Sequence, residues 1–304
     1  MSVLNVITAE QARDKALEEI NARRTGEKAR GLKLGWEKVT NAIGGGIQWN
    51  ANYLIAGLSG SGKSTLANIM ETEIFDNNPD QDFAVLNFNF ETDSAMNMMK
   101  KFSADSGFTV GDIMSAQEYL NDDSYKIIEE KAQRFAKYPI YYFDVSGTVS
   151  DIEHTIISYY KNLEKPLLCI LDHTGLITHE NRENDMELIT RLCMMSIKIK
   201  KQLPVSFLFL GQLNSNIEND ERRTNPSLHA PTRSDLYGPK MLYSSMDAVF
   251  MPHRPELLRI DYYMNDELPT KNRMFFHIIK QRFGGVGTVM MDCEKIGQNI
   301  VLEV

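Results

Sequence analysis

The stretch Gly57-Leu58-Ser59-Gly60-Ser61-Gly62-Lys63-Ser64-Thr65 decides the fold of this 304-residue chain. It satisfies G-x-x-x-x-G-K-[ST] in full, follows the apolar run Asn52-Tyr53-Leu54-Ile55-Ala56, and opens the helix-like Thr65-Leu66-Ala67-Asn68-Ile69-Met70. Strand, glycine loop and helix in that order make a phosphate site. Glycines let backbone N–H groups converge on phosphate oxygens, and the helix N-terminus adds a favourable dipole. The motif therefore assigns Gly57, Ser59, Gly60, Ser61, Gly62, Lys63, Ser64 and Thr65 to binding a nucleoside triphosphate, with ATP the expected one. Lys63 is expected to reach the β- and γ-phosphates, and the Ser64 hydroxyl to ligate Mg²⁺.

Length and composition bound the rest. The chain is long enough for one large α/β domain or two small ones, with 42% hydrophobic and 24% charged residues, ordinary for a globular protein. No apolar run approaches the 18 or so residues of a membrane span, and the N-terminus lacks a signal-peptide core, so no membrane association and a cytoplasmic location are expected. Cys169, Cys193 and Cys293 are scattered without a C-x-x-C, and the six histidines show no metal-ligand spacing. Forty-one acidic against 33 basic residues give a net charge of −8. Bulk charge thus argues against a protein coated in nucleic acid, but not against a local basic channel.

Apolar runs alternate with helical patterns from residue 52 onward. The runs are 52–57, 83–89, 139–143, 167–172, 205–211, 247–252, 274–280 and 286–291; the helical patterns lie near 63–75, 93–106, 122–136, 151–163 and 185–201. Continuous apolar runs such as Leu167-Leu168-Cys169-Ile170-Leu171 suit strands buried on both faces of a parallel sheet. The last two runs, joined through Phe283-Gly284-Gly285-Val286-Gly287, read as an antiparallel edge hairpin. Ser150 with Glu153 reads as a capping box. Ahead of this core, residues 8–24 read as an amphipathic helix capped by Thr8 and Gln11, with Ala9, Ala12, Ala16, Leu17 and Ile20 on one stripe. The polar linker Arg23-Arg24-Thr25-Gly26-Glu27-Lys28 follows it. The expected division is a linker-type segment over 1–30 and an ATPase domain over 31–304. Only 212–246 lacks clear structure, and a loop of that length in a compact domain usually serves function.

The remaining chemistry falls at strand ends. Asp172 closes the run from Leu167, where a carboxylate beside the glycine loop can hold a Mg²⁺ shell. Glu91 follows the run Val85–Phe90 and can orient an attacking water; as an acid it also suits the first turn of a helix. Gln212 ends the run from Val205, where an amide can sense the γ-phosphate. Lys280 and Arg282 lie two residues apart and so point to one side of a strand. They read either as a solvated strand end or as cations offered to a phosphate on an adjacent subunit.

In their order, these segments resemble the C-terminal ATPase domain of DnaB-type hexameric replicative helicases, with a RecA-like core. The resemblance rests on Leu34-Gly35-Trp36 with Gly44-Gly45-Gly46, the glycine loop, Phe90-Glu91-Thr92, Leu171-Asp172, Gly211-Gln212-Leu213-Asn214, Arg233-Ser234-Asp235-Leu236, Ser245-Met246-Asp247-Ala248-Val249, and Lys280-Gln281-Arg282-Phe283-Gly284 with Gly287, over roughly residues 31 to 295. It implies an α/β fold with a mostly parallel twisted sheet and a 5′–3′ DNA helicase activity driven by ATP and Mg²⁺. It further implies single-stranded DNA, a homo-hexamer, and a primase or loader as partners. By residue, it implies phosphates and metal at Lys63 and Ser64, the metal shell at Asp172 and the catalytic water at Glu91. It makes Gln212 a coupler to DNA-facing loops, and sets Lys280 and Arg282 on the next protomer's nucleotide. The 8–24 helix sits where the family's linker helix docks on a neighbour.

The chain also departs from that family. No counterpart of its N-terminal helical domain is read in the sequence, and His173-Thr174-Gly175 follows Asp172 where an aromatic residue and a glutamine are common. Tyr237-Gly238-Pro239 replaces the usual arginine after Ser-Asp-Leu. Arg222, Arg223, Arg233, Tyr237 and Lys240 stand as candidate DNA contacts, although Glu218, Asp220, Glu221 and Asp235 bring the loop close to neutrality. A recombinase-like filament ATPase, or an ATP-gated assembly module that does not move on DNA, remain alternatives.

Overall fold

Apolar runs too long to alternate must be covered on both faces, and that requirement shapes the computed structural model, which describes residues 6–26, 31–115, 120–180 and 182–304. Its strands are β1 (Asn52–Gly57), β2 (Ala84–Asn89), β3 (Ile140–Phe143), β4 (Leu167–Asp172), β5 (Val205–Gln212), β6 (Ala248–His253), β7 (Tyr262–Tyr263), β8 (Leu268–Pro269), β9 (Arg273–Gln281), β10 (Gly287–Asp292) and β11 (Leu302–Glu303). The helices are α1 (Ala9–Thr25), α2 (Glu37–Ala42), α3 (Lys63–Asp76), α4 (Ser94–Ser106), α5 (Val110–Ile113), α6 (Asp122–Ala132), α7 (Val149–Leu163), α8 (Asp185–Gln202), α9 (Asp220–Thr224) and α10 (Lys240–Ser245).

Nine strands form one sheet in the order β11-β10-β9-β6-β1-β5-β4-β2-β3. The six from β6 to β3 are mutually parallel, whereas β9, β10 and β11 add antiparallel pairs at one side. The fold is the expected RecA-like one, with a small change: β11 pairs outside the β9–β10 hairpin, so the hairpin is not the sheet edge. Each face buries its own core. Leu66, Met70 and Ile74 of α3 cover Tyr53 and Ile55 on one side. Ile152 and Ile156 of α7, Leu188 and Leu192 of α8 and Leu242 of α10 cover the other. All three cysteines are buried.

Local signals resolve the helix ends. Thr8 and Gln11 form the expected capping box on α1, which ends on Gly26 in the left-handed region (φ 80°). None of the α1 residues is buried, and Leu17 and Ile20 of its stripe are 57% and 60% exposed. Glu27 and Lys28 of the expected linker lie outside the described residues. The box expected at Ser150 and Glu153 is instead formed two residues earlier by Thr148 and Asp151. Both spacings fit the pattern, but the Ser150 N–H donates to Glu180 (2.9 Å) and Glu153 accepts from Lys198 (2.6 Å), so neither is free to cap. The helix expected over 122–136 stops at Ala132. The 212–246 stretch holds α9, α10 and three single 3₁₀ turns. Among the described residues no helix is long and apolar enough to cross a membrane.

Candidate functional site

The phosphate loop joins β1 to α3 beside the point where the strand order turns back, the usual ligand crevice of an open parallel sheet. Gly60 and Gly62 take left-handed conformations (φ 74° and 95°) that a side chain would strain. Gly62 is the N-cap of the 14-residue α3 and supplies no side-chain bond, so the first-turn N–H groups of α3 face the cleft. Gly57 is needed for another reason: a Cβ there would lie 2.4 Å from Ser61 Oγ. Ser61 is buried with an unpartnered hydroxyl, so it and Gly57 shape the loop from behind. Ser59, Gly60, Gly62, Lys63, Ser64 and Thr65 line the cleft itself. Lys63 Nζ donates to the Leu58 carbonyl (2.8 Å). Burial pushes the Lys63 ammonium below its usual range, while the charges of Asp172 and Glu91 oppose that shift.

The second half of the site comes from adjacent strand ends. Asn89 of β2 stands level with Asp172 of β4 in the parallel register. The chain then turns, with Phe90 N–H donating to the Asp172 carbonyl (2.9 Å) and Thr92 N–H to Asn89 Oδ1 (2.9 Å). That turn sets Glu91 in the cleft with Gln212, opposite the loop. Burial raises the Asp172 carboxyl above the usual carboxylate range; a hydrogen bond from the Ser64 hydroxyl opposes this and the Glu91 charge adds to it. Hydroxyl and carboxylate thus meet as paired oxygen donors, the chemistry a Mg²⁺ ion takes.

Sequence reasoning missed four lining residues: His173, Arg254, Ile296 and Gly297. His173 Nδ1 accepts from Gly175 N–H (3.0 Å), which leaves the proton of a neutral ring on Nε2. Arg254 follows β6 directly, and its Nη2 donates to Glu256 (2.5 Å). A cation placed just after a strand at this edge was a usable signal; Ile296 and Gly297 arrive from a distant turn and gave none.

Lys280 and Arg282 lie elsewhere. Because β9 runs antiparallel to β6, Lys280 pairs with Val249 and Gln281 with Ala248, at the starting ends of β6 and β1. Arg282 N–H donates to the Asp247 carbonyl (3.0 Å), level with Asn52. Gly57, where the phosphate loop begins, is five residues higher on β1, or roughly 16 Å at 3.3 Å per residue. The cation pair therefore serves no phosphate in its own cleft. It rests on the 243–247 segment. Arg282 Nη1 bonds Asp247 Oδ1 (2.8 Å), and Asp247 Oδ2 accepts from Asn52 N–H (2.7 Å) and from Lys200. Lys280 Nζ donates to the carbonyls of Tyr243 (2.8 Å) and Ser244 (3.2 Å). Burial, with Arg282 next, holds the Lys280 ammonium below its usual range.

The candidate DNA contacts separate into two groups. Arg222 is turned inward, against the expectation: it grips buried Asp235 through two bonds (2.9 and 3.1 Å) and also bonds the Ala230 and Leu228 carbonyls. A buried carboxylate needs a partner, and Arg222 is consumed by that need. Arg223 is likewise tied, to the Leu258 carbonyl (3.0 Å) and Asp220 (3.3 Å). Arg233, Tyr237 and Lys240 are not buried. The loop closes on Gln212 through a bridge between Leu213 and Leu236, with Tyr237 N–H on the Gln212 carbonyl (3.0 Å) and Asn214 N–H on the Asp235 carbonyl (2.7 Å).

Comparison with known proteins bears on the whole arrangement. The family profile "DnaB-like helicase C terminal domain" matches residues 31–299. Among solved structures, one of an ATPase domain superposes with a TM-score of 0.81 at 19% identity, over 99% of this chain and 100% of that one. A DnaB-like replicative helicase, described with its interactions with primase, gives 0.78 at 20%, over 98% of this chain and 67% of that one. A KaiC-like protein, PH0186 from Pyrococcus horikoshii OT3, gives 0.55 at 15%, over 91% and 100%. No curated protein sequence matches the chain significantly.

Proposed function

Since the chain belongs to the DnaB-like helicase C-terminal domain family, we propose that it is an ATP-driven ring motor that moves on single-stranded DNA and separates duplex during replication. The observation that carries this reading is the split of its charged residues between two ends of one sheet. Lys63, Ser64, Asp172, Glu91 and Gln212 gather at one end, and Lys280 with Arg282 stands at the other. A cation pair that far from its own cleft is complete only against the cleft of another copy. Repeating that contact head to tail closes a ring when the rotation allows, and a hexamer is the expected closure.

Within one cleft, the N–H groups of the loop and of α3 hold the β- and γ-phosphates of ATP, and Lys63 neutralises charge that develops on the γ-phosphoryl group. Ser64 and Asp172 would hold Mg²⁺, which would supply charge neutralisation to the phosphates of ATP. Glu91 orients the attacking water in line and takes up its proton. Gln212 reports the γ-phosphate to the loop closed on its own backbone. Arg282 of the adjoining subunit supports the transition state from the open side, with Lys280 beside it. On the strand-facing side, Arg233, Tyr237 and Lys240 grip the DNA backbone through charge and stacking, without sequence readout. The exposed stripe of α1 suits docking on a neighbouring subunit, and a primase or loader suits the remaining partner role.

The test is steady-state ATPase activity with and without single-stranded DNA at low and moderate salt, with Lys63→Ala as the control. DNA should stimulate hydrolysis, less so at higher salt as counterion release weakens the contact, and Lys63→Ala should be inactive under both conditions. Robust hydrolysis indifferent to DNA would remove the motor reading while leaving the nucleotide site. Near-normal turnover by Lys63→Ala would remove the site itself.

A further inference from the structure

Tyr243 stands between the two halves of the machinery just described, and the ring is shared by a cation from each. The Arg233 guanidinium carbon lies 4.5 Å from the ring centroid, and Lys280 Nζ lies 4.8 Å from it. Both fall well inside the range of about 6 Å over which a cation is held by a ring face. Arg233 belongs to the neck of the loop that closes on Gln212, where the adjoining Ser234 carbonyl accepts from Asn214 Nδ2 (2.8 Å). Lys280 belongs to the cation pair on β9. Tyr243 also offers its main-chain carbonyl to Lys280 Nζ (2.8 Å). The next carbonyl, of Ser244, accepts from Lys280 (3.2 Å) and Arg282 (3.5 Å). Among the described residues the Tyr243 hydroxyl has no hydrogen-bond partner, so the aromatic face, not the phenol, makes the connection.

We infer that Tyr243 is a positioning residue that couples the loop closed on Gln212 to the Lys280–Arg282 pair, so that a polyanionic strand bound at the loop adjusts the cations serving the neighbouring subunit's nucleotide. The physical reason is competition for Arg233. A phosphate backbone attracts the guanidinium and draws it off the ring, which leaves Tyr243 to Lys280 alone and shifts the carbonyl platform under both cations. Without the ring the two cations would repel each other directly, and movement of one would no longer be passed to the other. This inference rests on the in-trans reading of Arg282.

The experiment measures hydrolysis against single-stranded DNA concentration for wild type, Tyr243→Phe and Tyr243→Leu. It reads separately the maximal stimulation at saturating DNA and the DNA concentration that gives half of it. Each ratio is internal to one protein, so a loss of folded fraction cancels. Tyr243→Phe keeps the ring and should keep the wild-type maximal stimulation. Tyr243→Leu should lower it by roughly fivefold, the scale of one cation–ring contact acting through coupling. Arg233→Gln, at an exposed position, should lower the same maximum even when DNA saturates. An unchanged maximum in Tyr243→Leu, or an equal loss in Tyr243→Phe, would overturn the inference while leaving the motor reading intact. If Arg282→Ala hydrolysed ATP normally, the in-trans reading would fail instead and take the inference with it.

Discussion

Gly35 shows how much one missing Cβ can decide. A side chain there would place its Cβ 1.8 Å from Glu73 Oε2, so glycine is needed to seat the carboxyl of α3 under the 34–36 turn. Burial raises the Glu73 pKa to about 7, opposed by the dipole of the Gly35 N–H beside it. A carboxyl whose folded pKa lies above its unfolded value favours the folded state below the unfolded value, near 4.5, and loses that contribution as pH rises through about 7. Glu73→Gln removes the ionisation. Relative to wild type, the variant should therefore gain about 2 kcal/mol between pH 5 and pH 8. Urea unfolding at the two pH values checks this; an equal difference at both would show that Glu73 ionises freely in the native protein. The Leu34-Gly35-Trp36 segment, read in the sequence only as part of a family resemblance, thus has a packing reason of its own.

Elements are joined by polar pairs that the sequence conceals. Lys101 of α4 and Glu71 of α3 form an ion pair with both side chains essentially inaccessible, and Glu71 also accepts from Asn87 of β2 (2.6 Å) and Tyr142 of β3 (3.0 Å). One carboxylate therefore ties the helix that follows the phosphate loop to the strand and helix that flank Glu91. Lys101→Met should cost about 3 kcal/mol by stranding the Glu71 charge, whereas Glu71→Gln combined with Lys101→Met should restore much of that loss. A thermal or urea melt of both variants decides it, and a double variant no better than the single would show that Lys101 matters by packing alone. This also marks the limit of sequence reading. Strands announce themselves through burial on both faces, Lys63 through the glycine loop that precedes it, and Asp172, Glu91 and Gln212 through their places at strand ends. By local pattern Lys101 is one more lysine beside Lys100, Arg222 a free cation and Ser150 a cap, because each is settled by a partner 13 to 30 residues away. Local pattern carries the elements; long-range polar pairing decides which charges remain free.

Across the whole molecule, the Lys280–Arg282 pair is anchored at the far end from the cleft. Gly284 leaves no room for a side chain, since a Cβ would lie 2.0 Å from the Ala42 carbonyl, and Gly44 meets Phe283 in the same way at 2.3 Å. Gly285 N–H donates to that Ala42 carbonyl (3.0 Å). Gly44, of the cluster read from sequence as a turn before β1, thus forms with Ala42 the seat of the hairpin turn that carries Arg282. Asp247 fixes the guanidinium from the other side. A cation so anchored, and so far from its own phosphates, acts on a neighbour or not at all. Arg282→Ala should therefore leave nucleotide binding nearly intact and reduce turnover by about 10³-fold or more, the scale of an arginine supplied in trans. The stronger consequence appears on mixing. In a ring each subunit completes the next one's cleft, so a minority of Arg282→Ala subunits should depress activity well below the wild-type fraction. Titrating the variant into wild type at constant total protein measures this directly. Activity in simple proportion to the wild-type subunits would mean that each cleft is catalytically complete alone, and that the distant pair serves only the fold.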